Sequence, residues 1–195
     1  MKLDNNDKIV GVKICQDDQD VILSTKFGKC IRFEAKKLRV FKGRSSKGIK
    51  GIELAPNDQI VSLSVIDNDK TKKNGKNSDD KKAELIAGEK FILSITENGY
   101  GKRTKIDEFS LQKRSGKGNI AVKTSERNGK VIGALKVKEN DDLMLITDHG
   151  TLVRTSIKDI RQLGRNTQGV KLQKLGKNEK LSQIEKVEED KVEET

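Results

Sequence analysis

The sequence predicts an all-β protein built as an array of propeller-like units with four strands each. Two observations on the repeat pattern lead to this class: an apolar run, a turn that ends in Gly and an Arg four residues later occur three times, and each copy continues with a second Arg followed by Gly four residues on. A third observation is the length of each copy, about 50 residues, which is typical of a propeller blade.

The first two strands of each copy are predicted to form a hairpin. The first strands are the short apolar runs at residues 21–25, 91–96 and 143–147. Tight hairpins need a residue that tolerates positive φ, and each run is followed by one: Gly28, Gly99 and Gly150. The second strand of the hairpin then carries an Arg, and strand alternation places this side chain on the face opposite its flanking residues.

Two further strands complete each predicted unit. A third strand follows the second Gly of each copy, at residues 49–54, 119–122 and 170–175. A fourth strand follows a polar turn, at residues 60–66, 131–137 and 181–187. Four short strands in about 50 residues match the organisation of a propeller blade.

The remaining segments define the predicted boundaries. Residues 1–19 match only the closing half of a preceding unit. Residues 67–90 are an insertion rich in Lys, Asn and Asp, whose first part is expected to be disordered and whose second part is expected to form a short helix. The predicted organisation is therefore a partial unit at 1–19, units at 20–66, 91–140 and 141–187, the insertion at 67–90 and an acidic tail at 188–195.

Charge is the most informative feature of the composition. The 195 residues include 41 Lys and Arg against 30 Asp and Glu, a net charge of +11, and only 32% of them are hydrophobic. A basic excess of this size favours a polyanionic partner, most often nucleic acid, with an anionic membrane surface as the weaker alternative. No apolar stretch approaches the roughly 18 residues of a membrane span, and a cytoplasmic location is expected.

Catalytic and metal chemistry find no support in the sequence. His149 is the only histidine and falls at a turn position. Cys15 and Cys30 form no metal-binding pattern and are expected to be reduced, small apolar residues of strands. The Gly-rich segments lack the spacing of a nucleotide-binding loop. The chain is therefore expected to have no enzymatic activity, metal or cofactor of its own.

The repeated cations are the candidate binding residues. One Arg recurs within the second strand, a second Arg recurs in the loop after it, and Lys side chains lie around both. Periodic cations on stacked units would form a positive track suited to phosphate contacts. The predicted DNA-binding residues are Arg32, Arg44, Lys47, Arg103, Lys113, Arg114, Lys117, Arg154 and Arg165.

The arginines of this set that lie within strands could have a structural role instead of binding DNA. Arg32, Arg103 and Arg154 could brace the fold instead, while further cations, Lys102 among them, would extend the positive surface. Aromatic residues are few, at five Phe and one Tyr. Readers of single strands stack bases on exposed rings, so duplex DNA is the better predicted partner.

Three long segments of the sequence resemble a known family. Residues 95–104, 124–134 and 164–170 are similar to the C-terminal domain of DNA gyrase A, and the likeness runs from about residue 2 to residue 187. The segment Gln112–Gly118 also resembles the diagnostic box of that family, with Ser115 in place of the first Gly. The resemblance implies an incomplete β-pinwheel, comprising the last three blades and part of a fourth, whose basic rim wraps duplex DNA.

The resemblance also implies partners. Such a fragment would work with the rest of gyrase A and with gyrase B in a heterotetramer that supercoils DNA negatively, with ATP and magnesium used elsewhere in the complex. Two alternatives remain open at this point. One is a propeller-like scaffold that binds an acidic protein, and the other is the equivalent domain of topoisomerase IV.

Overall fold

The computed structural model describes residues 3–4, 7–43, 45–67 and 91–187. In this part of the chain the regular structure consists of eleven β-strands and three one-turn 3-10 helices. The strands are β1 Gln19–Thr25, β2 Lys29–Glu34, β3 Ile60–Asp67, β4 Phe91–Thr96, β5 Tyr100–Lys105, β6 Asn119–Ile120, β7 Val131–Val137, β8 Asp142–Thr147, β9 Leu152–Ser156, β10 Val170–Lys171 and β11 Leu181–Val187. The 3-10 helices are Ala35–Lys37, Ile106–Glu108 and Ile157–Asp159. The predicted all-β class is confirmed.

The strands form three antiparallel sheets, one for each of three units: unit one (19–67), unit two (91–137) and unit three (142–187). The strand orders are β3-β1-β2-β6 in sheet one, β10-β5-β4-β7 in sheet two and β11-β8-β9 in sheet three. The outer strand of sheet one thus comes from the sequence of unit two, and that of sheet two comes from unit three. Each later unit gives a short strand to the sheet before it.

The hairpins at the centre of each sheet follow the predicted turn chemistry. β1 pairs with β2, β4 with β5 and β8 with β9. Gly28, Gly99 and Gly150 in the connecting turns have φ of 79°, 79° and 85°. L-residues with a Cβ rarely adopt such values, so these turns require Gly. The three predicted hairpins are confirmed.

The hydrophobic core lies mainly between successive sheets. One buried cluster joins Ile22 and Ile66 of unit one to Ile92 of unit two. A second joins Leu93 of unit two to Leu143 of unit three. Full burial of such a side chain contributes about 1.5–3 kcal/mol. The units therefore stabilise one another by stacking, as in other repeat proteins.

The third strands differ from the prediction. Only residues 119–120 and 170–171 pair as strands, and residues 49–54 form none. A strand needs a partner edge, which β6 and β10 find on the preceding sheet. Within the described residues, 49–54 meet no such edge. Sheets one and two therefore have four strands only because each takes one from the following unit, not from its own sequence as predicted, and the described part of sheet three has three.

Some predictions fall on residues that are not described. The insertion at 67–90, apart from Asp67 in β3, the acidic tail at 188–195 and Arg44 all lie outside the described ranges. The preceding segment at residues 7–18 is described and is exposed, with Val12 at 81% and Ile14 at 97%. No helix in the described ranges has the length and apolar character needed to cross a membrane.

Candidate nucleic-acid interface

Arg32, the first of the strand arginines, connects units one and two. Its Nε and Nη2 donate to Oδ2 of Asp20 at 2.9 and 2.8 Å, and Asp20 is only 1% exposed. Its Nη1 donates to the backbone carbonyls of Phe109, at 3.2 Å, and Ile106, at 3.4 Å, in unit two. Its side chain is 14% exposed. These contacts support the structural alternative for Arg32.

Arg103 makes the equivalent connection between units two and three. Its Nε donates to the carbonyl of Ile160 in unit three at 2.7 Å, and its Nη1 donates to Oε1 of Glu139 at 2.6 Å. Its guanidinium also lies 4.9 Å from the centre of the Phe91 ring. The side chain is 12% exposed. Arg103 thus joins two units and offers little surface to a ligand.

Arg154, the third member of this series, is in a different situation. It pairs with Asp142 at 2.6 Å, as Arg32 pairs with Asp20. No unit follows unit three in the described part of the chain, and the Arg154 side chain is 57% exposed. The predicted DNA contact of the three strand arginines stays a prediction, and Arg154 is the most accessible of them.

The loop arginines lie in segments that we call the cationic loops: residues 42–48, 112–118 and 163–169. Arg114 donates through Nη1 to the carbonyl of Lys50, which also accepts from Ser115 Oγ at 2.8 Å. Arg165 donates through Nη1 to the carbonyl of Ile120 at 3.1 Å. A guanidinium has five N–H donors, so this anchoring leaves donors for a further partner. Both side chains are partly exposed.

The predicted lysines of the cationic loops are exposed. Lys113 and Lys117 lie on the surface beside Arg114. Lys47 pairs with Asp4 at 2.7 Å, with the two side chains 64% and 63% exposed. An exposed pair of this kind is worth at most about 1 kcal/mol, so Lys47 can exchange this partner for a phosphate. The structure therefore brings Lys113, Arg114 and Lys117 together on one loop.

The structure contradicts the expectation that Lys102 extends the positive surface. It lies in β5 and is fully buried, at 0% exposure. Its Nζ donates to the carbonyls of Gly164 and Arg165 at 2.6 and 2.5 Å and to Thr167 Oγ1 at 3.1 Å. Burial lowers the pKa of Lys102 to about 8, so it carries a charge at neutral pH. Lys102 thus anchors the cationic loop of unit three through hydrogen bonds from inside the fold.

The second repeated Gly permits close backbone contact between units. A Cβ on Gly118 would lie 2.4 Å from the carbonyl oxygen of Cys30, and one on Gly169 would lie 2.7 Å from that of Gly101. Their φ values are 66° and 82°. Ser115 also has a positive φ, 71°, at the position where the family box has Gly. These backbone requirements account for the spacing of Gly in the cationic loops.

The two cysteines and the histidine that the sequence analysis considered do not form a catalytic or metal site in the described residues. Cys30 is buried in β2, and burial raises the pKa of its thiol to about 12. Cys15 is exposed and lies outside any strand, so the expectation for it was wrong. His149 lies in the β8–β9 turn, as predicted. The described residues contain no group of three His, Cys, Asp or Glu side chains that could hold a metal ion.

Three of the six aromatic side chains are buried in the core, whereas Phe41 is 40% exposed and lies under the Arg39 guanidinium, at 5.4 Å from its ring centre. Phe33, Phe91 and Phe109 are 2%, 6% and 3% exposed. The partly exposed Tyr100 lies under the Arg127 guanidinium, at 4.9 Å from its ring centre, and a hydrogen bond with this Arg lowers the pKa of Tyr100. Its ring face is thus already covered by a cation. This supports the choice of a duplex over a stacked single strand as ligand.

Stacked antiparallel sheets of three or four strands, outer strands exchanged between units and cationic loops define a β-pinwheel of the propeller class. The chain matches the family described as DNA gyrase C-terminal domain, beta-propeller, over residues 1–16, 19–67, 90–138 and 141–188. It therefore belongs to the family of DNA gyrase A C-terminal domains.

Relatives and solved structures agree with this assignment. The chain is 38% identical over 207 residues to the DNA gyrase A protein of Haemophilus influenzae, covering 100% of this chain and 23% of that protein. It is 34% identical over 217 residues to the DNA gyrase A protein of Rickettsia felis, covering 97% and 24%. The chain thus spans about a quarter of the length of these relatives.

Two solved domains share the fold. A DNA gyrase A C-terminal domain superposes with a TM-score of 0.78 at 24% identity, covering 95% of this chain and 56% of that one. The C-terminal domain of a DNA topoisomerase IV superposes with a TM-score of 0.77 at 21% identity, covering 95% and 52%. The fold alone does not separate the two classes of enzyme, whereas the relatives with 34–38% identity are DNA gyrase A proteins.

Proposed function

We propose that this chain binds duplex DNA through its cationic loops and wraps it, as the non-catalytic DNA-wrapping module of a DNA gyrase A protein. The observation that carries the proposal is the repetition of one anchored arginine. Arg114 and Arg165 bind equivalent carbonyls, of Lys50 and Ile120, at the boundary between successive units. A cation fixed at the same place on units two and three is spaced to meet successive parts of one long polyanion.

In this proposal the strand arginines and the arginines of the cationic loops have different roles. Arg32 and Arg103 use their guanidinium groups on the next unit and are nearly buried. The cationic loops expose Lys47, Lys113 and Lys117 together with the anchored arginines. The loops therefore contact phosphates, and the strand arginines maintain the spacing between loops. Contacts to phosphates carry no sequence information, so duplexes of different sequence bind with similar affinity.

The wider role follows from the family. We propose that the chain acts with the remainder of gyrase A and with gyrase B in the cytoplasm, where wrapping presents a DNA segment for negative supercoiling driven by ATP. The catalytic steps belong to other parts of that complex. The equivalent role in topoisomerase IV is the second candidate, because the fold matches that enzyme equally well.

Salt dependence of binding tests the proposal. If each unit makes about two to three phosphate contacts, the slope of log affinity against log salt is on the order of −5 to −8. Fluorescence anisotropy with a labelled duplex measures this slope, and the same strand without its complement is the matched control. A slope near zero, or tighter binding of the single strand, contradicts the proposal. If an acidic protein, added at the same total charge as the duplex, displaces the chain from the labelled duplex, the scaffold alternative is favoured.

Wrapping needs a separate measurement. A nicked plasmid is sealed by ligase with the chain bound, and its linking number is compared with that of plasmid sealed alone. Positive wrapping raises the linking number in proportion to the bound chain. If the chain binds the plasmid without changing its linking number, the chain is a DNA-binding module that does not wrap DNA.

A further inference from the structure

The inner side of the cationic loop of unit three rests on two polar side chains of β5. Lys102 and Thr104 are two residues apart, so strand alternation puts both on the same face of β5, and they are 0% and 1% exposed. Lys102 Nζ donates to the carbonyls of Gly164 and Arg165. Thr104 Oγ1 donates to the carbonyl of Leu163 at 2.8 Å. This face of β5 therefore fixes three successive carbonyls of the loop.

The cationic loop of unit two rests on apolar side chains instead. In β2 the positions of Lys102 and Thr104 are occupied by Ile31 and Phe33, which are 0% and 2% exposed. A Cβ on Gly116 of that loop would lie 3.8 Å from Ile31 Cδ1. A buried charge is costly unless hydrogen bonds compensate it, so the contacts of Lys102 are what keeps a cation at this position. The two loops are thus held by different chemistry.

The contacts of Lys102 match its charged form. An ammonium group has three N–H donors, and Nζ has three acceptors: the two carbonyls and Thr167 Oγ1, at 3.1 Å. The Thr167 hydroxyl in turn donates to the carbonyl of Gly164 at 2.9 Å. A neutral amine has only two donors and a lone pair. Loss of the proton therefore leaves one acceptor of the loop without its hydrogen bond and facing a lone pair.

The backbone held by Lys102 belongs to a proposed DNA contact. The carbonyl of Arg165 accepts from Lys102 Nζ at 2.5 Å, and its backbone N–H donates to Oε2 of Glu108 at 3.1 Å. The guanidinium of the same residue donates to the carbonyl of Ile120. Because the Arg165 backbone is fixed on both sides, the direction of its side chain depends on the Lys102 contact.

We propose that Lys102 is a positioning residue for DNA binding: its three hydrogen bonds hold the cationic loop of unit three in the conformation in which Arg165 meets a phosphate of the duplex. This inference rests on the proposed function, since it concerns how one of the cationic loops binds. Lys102 is buried and acts only through the loop. The loop of unit two, which rests on Ile31, binds independently of Lys102.

The protonation of Lys102 then controls the affinity of this loop. Burial is the main cause that lowers the pKa of Lys102 to about 8. Glu108 of the 3-10 helix opposes this shift, Arg165 of the loop adds to it, and Cys30 of β2 opposes it. Carboxylates and guanidinium groups do not titrate between pH 7 and pH 9.5, and burial raises the pKa of the Cys30 thiol to about 12. Lys102 is therefore the group of this cluster that titrates in the range.

The sign of the pH dependence follows from these contacts. The conformation that binds the duplex needs the ammonium, and the phosphates add negative charge beside the loop, so binding favours the protonated form. Affinity is expected to be highest below pH 8 and to fall as the pH rises above the pKa of Lys102.

A double-mutant cycle with a labelled duplex at pH 7 tests whether Lys102 acts through its loop. K102M is expected to weaken binding about tenfold, as the loss of one charge-assisted contact does. R165A is expected to have a similar effect, and K102M/R165A is expected to bind no more weakly than either single variant, because both changes remove the same contact. R114A, in the loop that rests on Ile31, is the matched control. Its effect and that of K102M are expected to multiply, to about a hundredfold.

Two variants of Thr167 test the same hydrogen bonds without changing the charge. T167V removes the hydroxyl that accepts from Lys102, whereas T167S keeps it. T167V is expected to weaken duplex binding about threefold, because two acceptors for Lys102 remain, and T167S is expected to bind like the wild type. Circular dichroism confirms that each variant is folded, and the Thr167 pair tests the proposal even if K102M does not fold.

A pH profile separates a positioning role from a purely structural one. The affinity of the wild type is expected to fall about tenfold from pH 7 to pH 9.5, while that of K102M stays constant, so that the two proteins bind alike at pH 9.5. Parallel profiles for the wild type and K102M would mean that the proton on Lys102 does not matter for binding.

Failure of this inference is distinguishable from failure of the proposed function. If the wild type at pH 7 shows no salt-dependent binding of the duplex, the proposed function itself is wrong. If the wild type binds as proposed, three results overturn the inference alone: effects of K102M and R165A that multiply, parallel pH profiles, or T167V that binds like T167S.

Discussion

The junction between units two and three and the outer edge of unit three contain the same Arg in opposite environments. Arg103 contacts the following unit and is 12% exposed, whereas Arg154 has no following unit among the described residues and is 57% exposed. The repeat position is the same, so the neighbour decides the exposure. A cation that recurs in a repeat protein can thus be a structural contact on one unit and an accessible charge on a unit that no described unit follows.

The largest effect that separates the two environments is on stability. We expect R32A to lower the free energy of unfolding by about 3–5 kcal/mol, because it removes two charge-assisted contacts from the Asp20 carboxylate, which is only 1% exposed. R154A removes an exposed pair and is expected to cost about 0.5 kcal/mol. Urea denaturation followed by circular dichroism measures both. Equal losses in the two variants would show that the following unit does not determine the role of the Arg.

The second effect concerns pH and the buried Lys102. Burial lowers its pKa from 10.5 to about 8. Below pH 8 both the folded and the unfolded chain hold the proton, and the buried charge opposes folding. Between pH 8 and 10.5 the folded chain has released a proton that the unfolded chain still holds, so stability rises with pH in this window.

A variant isolates this contribution from other titrating groups. The free energy of unfolding of the wild type minus that of K102M is expected to increase by roughly 3 kcal/mol from pH 8 to pH 10.5. Met is chosen because the equivalent positions in the other units, Ile31 and Val153, are apolar. A difference that stays constant over the window would mean that Lys102 is accessible to solvent in the folded protein.

The third effect uses the hairpin glycines. A Cβ on Gly99 would lie 2.5 Å from the carbonyl oxygen of Gln173 in the arriving segment, whereas one on Gly150 would meet nothing within 4 Å. Both have positive φ, so each change to Ala costs about 1 kcal/mol for backbone strain. G99A is expected to cost about 2 kcal/mol more than G150A because of the collision. Thermal melting compares them, and a similar loss in both variants would argue against a filled junction at Gly99.

Local patterns in the sequence predicted the parts of the fold that depend on neighbouring residues. The apolar runs and the turn glycines identified the hairpins, because a hairpin is stabilised within a dozen residues. The exchange of β6 and β10 between sheets was missed, since it depends on which edge a distant strand reaches. The same reason explains residues 49–54, where strand-like composition meets no partner edge in the described part of the chain.

For a related reason, the sequence predicted only some residues of the candidate site correctly. The exposed lysines of the cationic loops follow from charge and loop position. The contacts of Arg32 involve carbonyls more than 70 residues away, at Ile106 and Phe109, which no local pattern reveals. Lys102 could have been recognised, because the repeat aligns it with Ile31 and Val153. A charged residue at a position that is apolar in the other copies indicates a buried role.

The central claim is that the cationic loops contact DNA while the strand arginines maintain the array. Binding of a duplex by R114A, R165A and R154A over a range of salt concentrations tests it most directly, since all three remove one charge and R154A removes an accessible strand Arg. We predict that R114A and R165A each reduce the salt slope by about 1 and that R154A leaves it unchanged. An unchanged slope for R114A and R165A together with a reduced slope for R154A would contradict this claim.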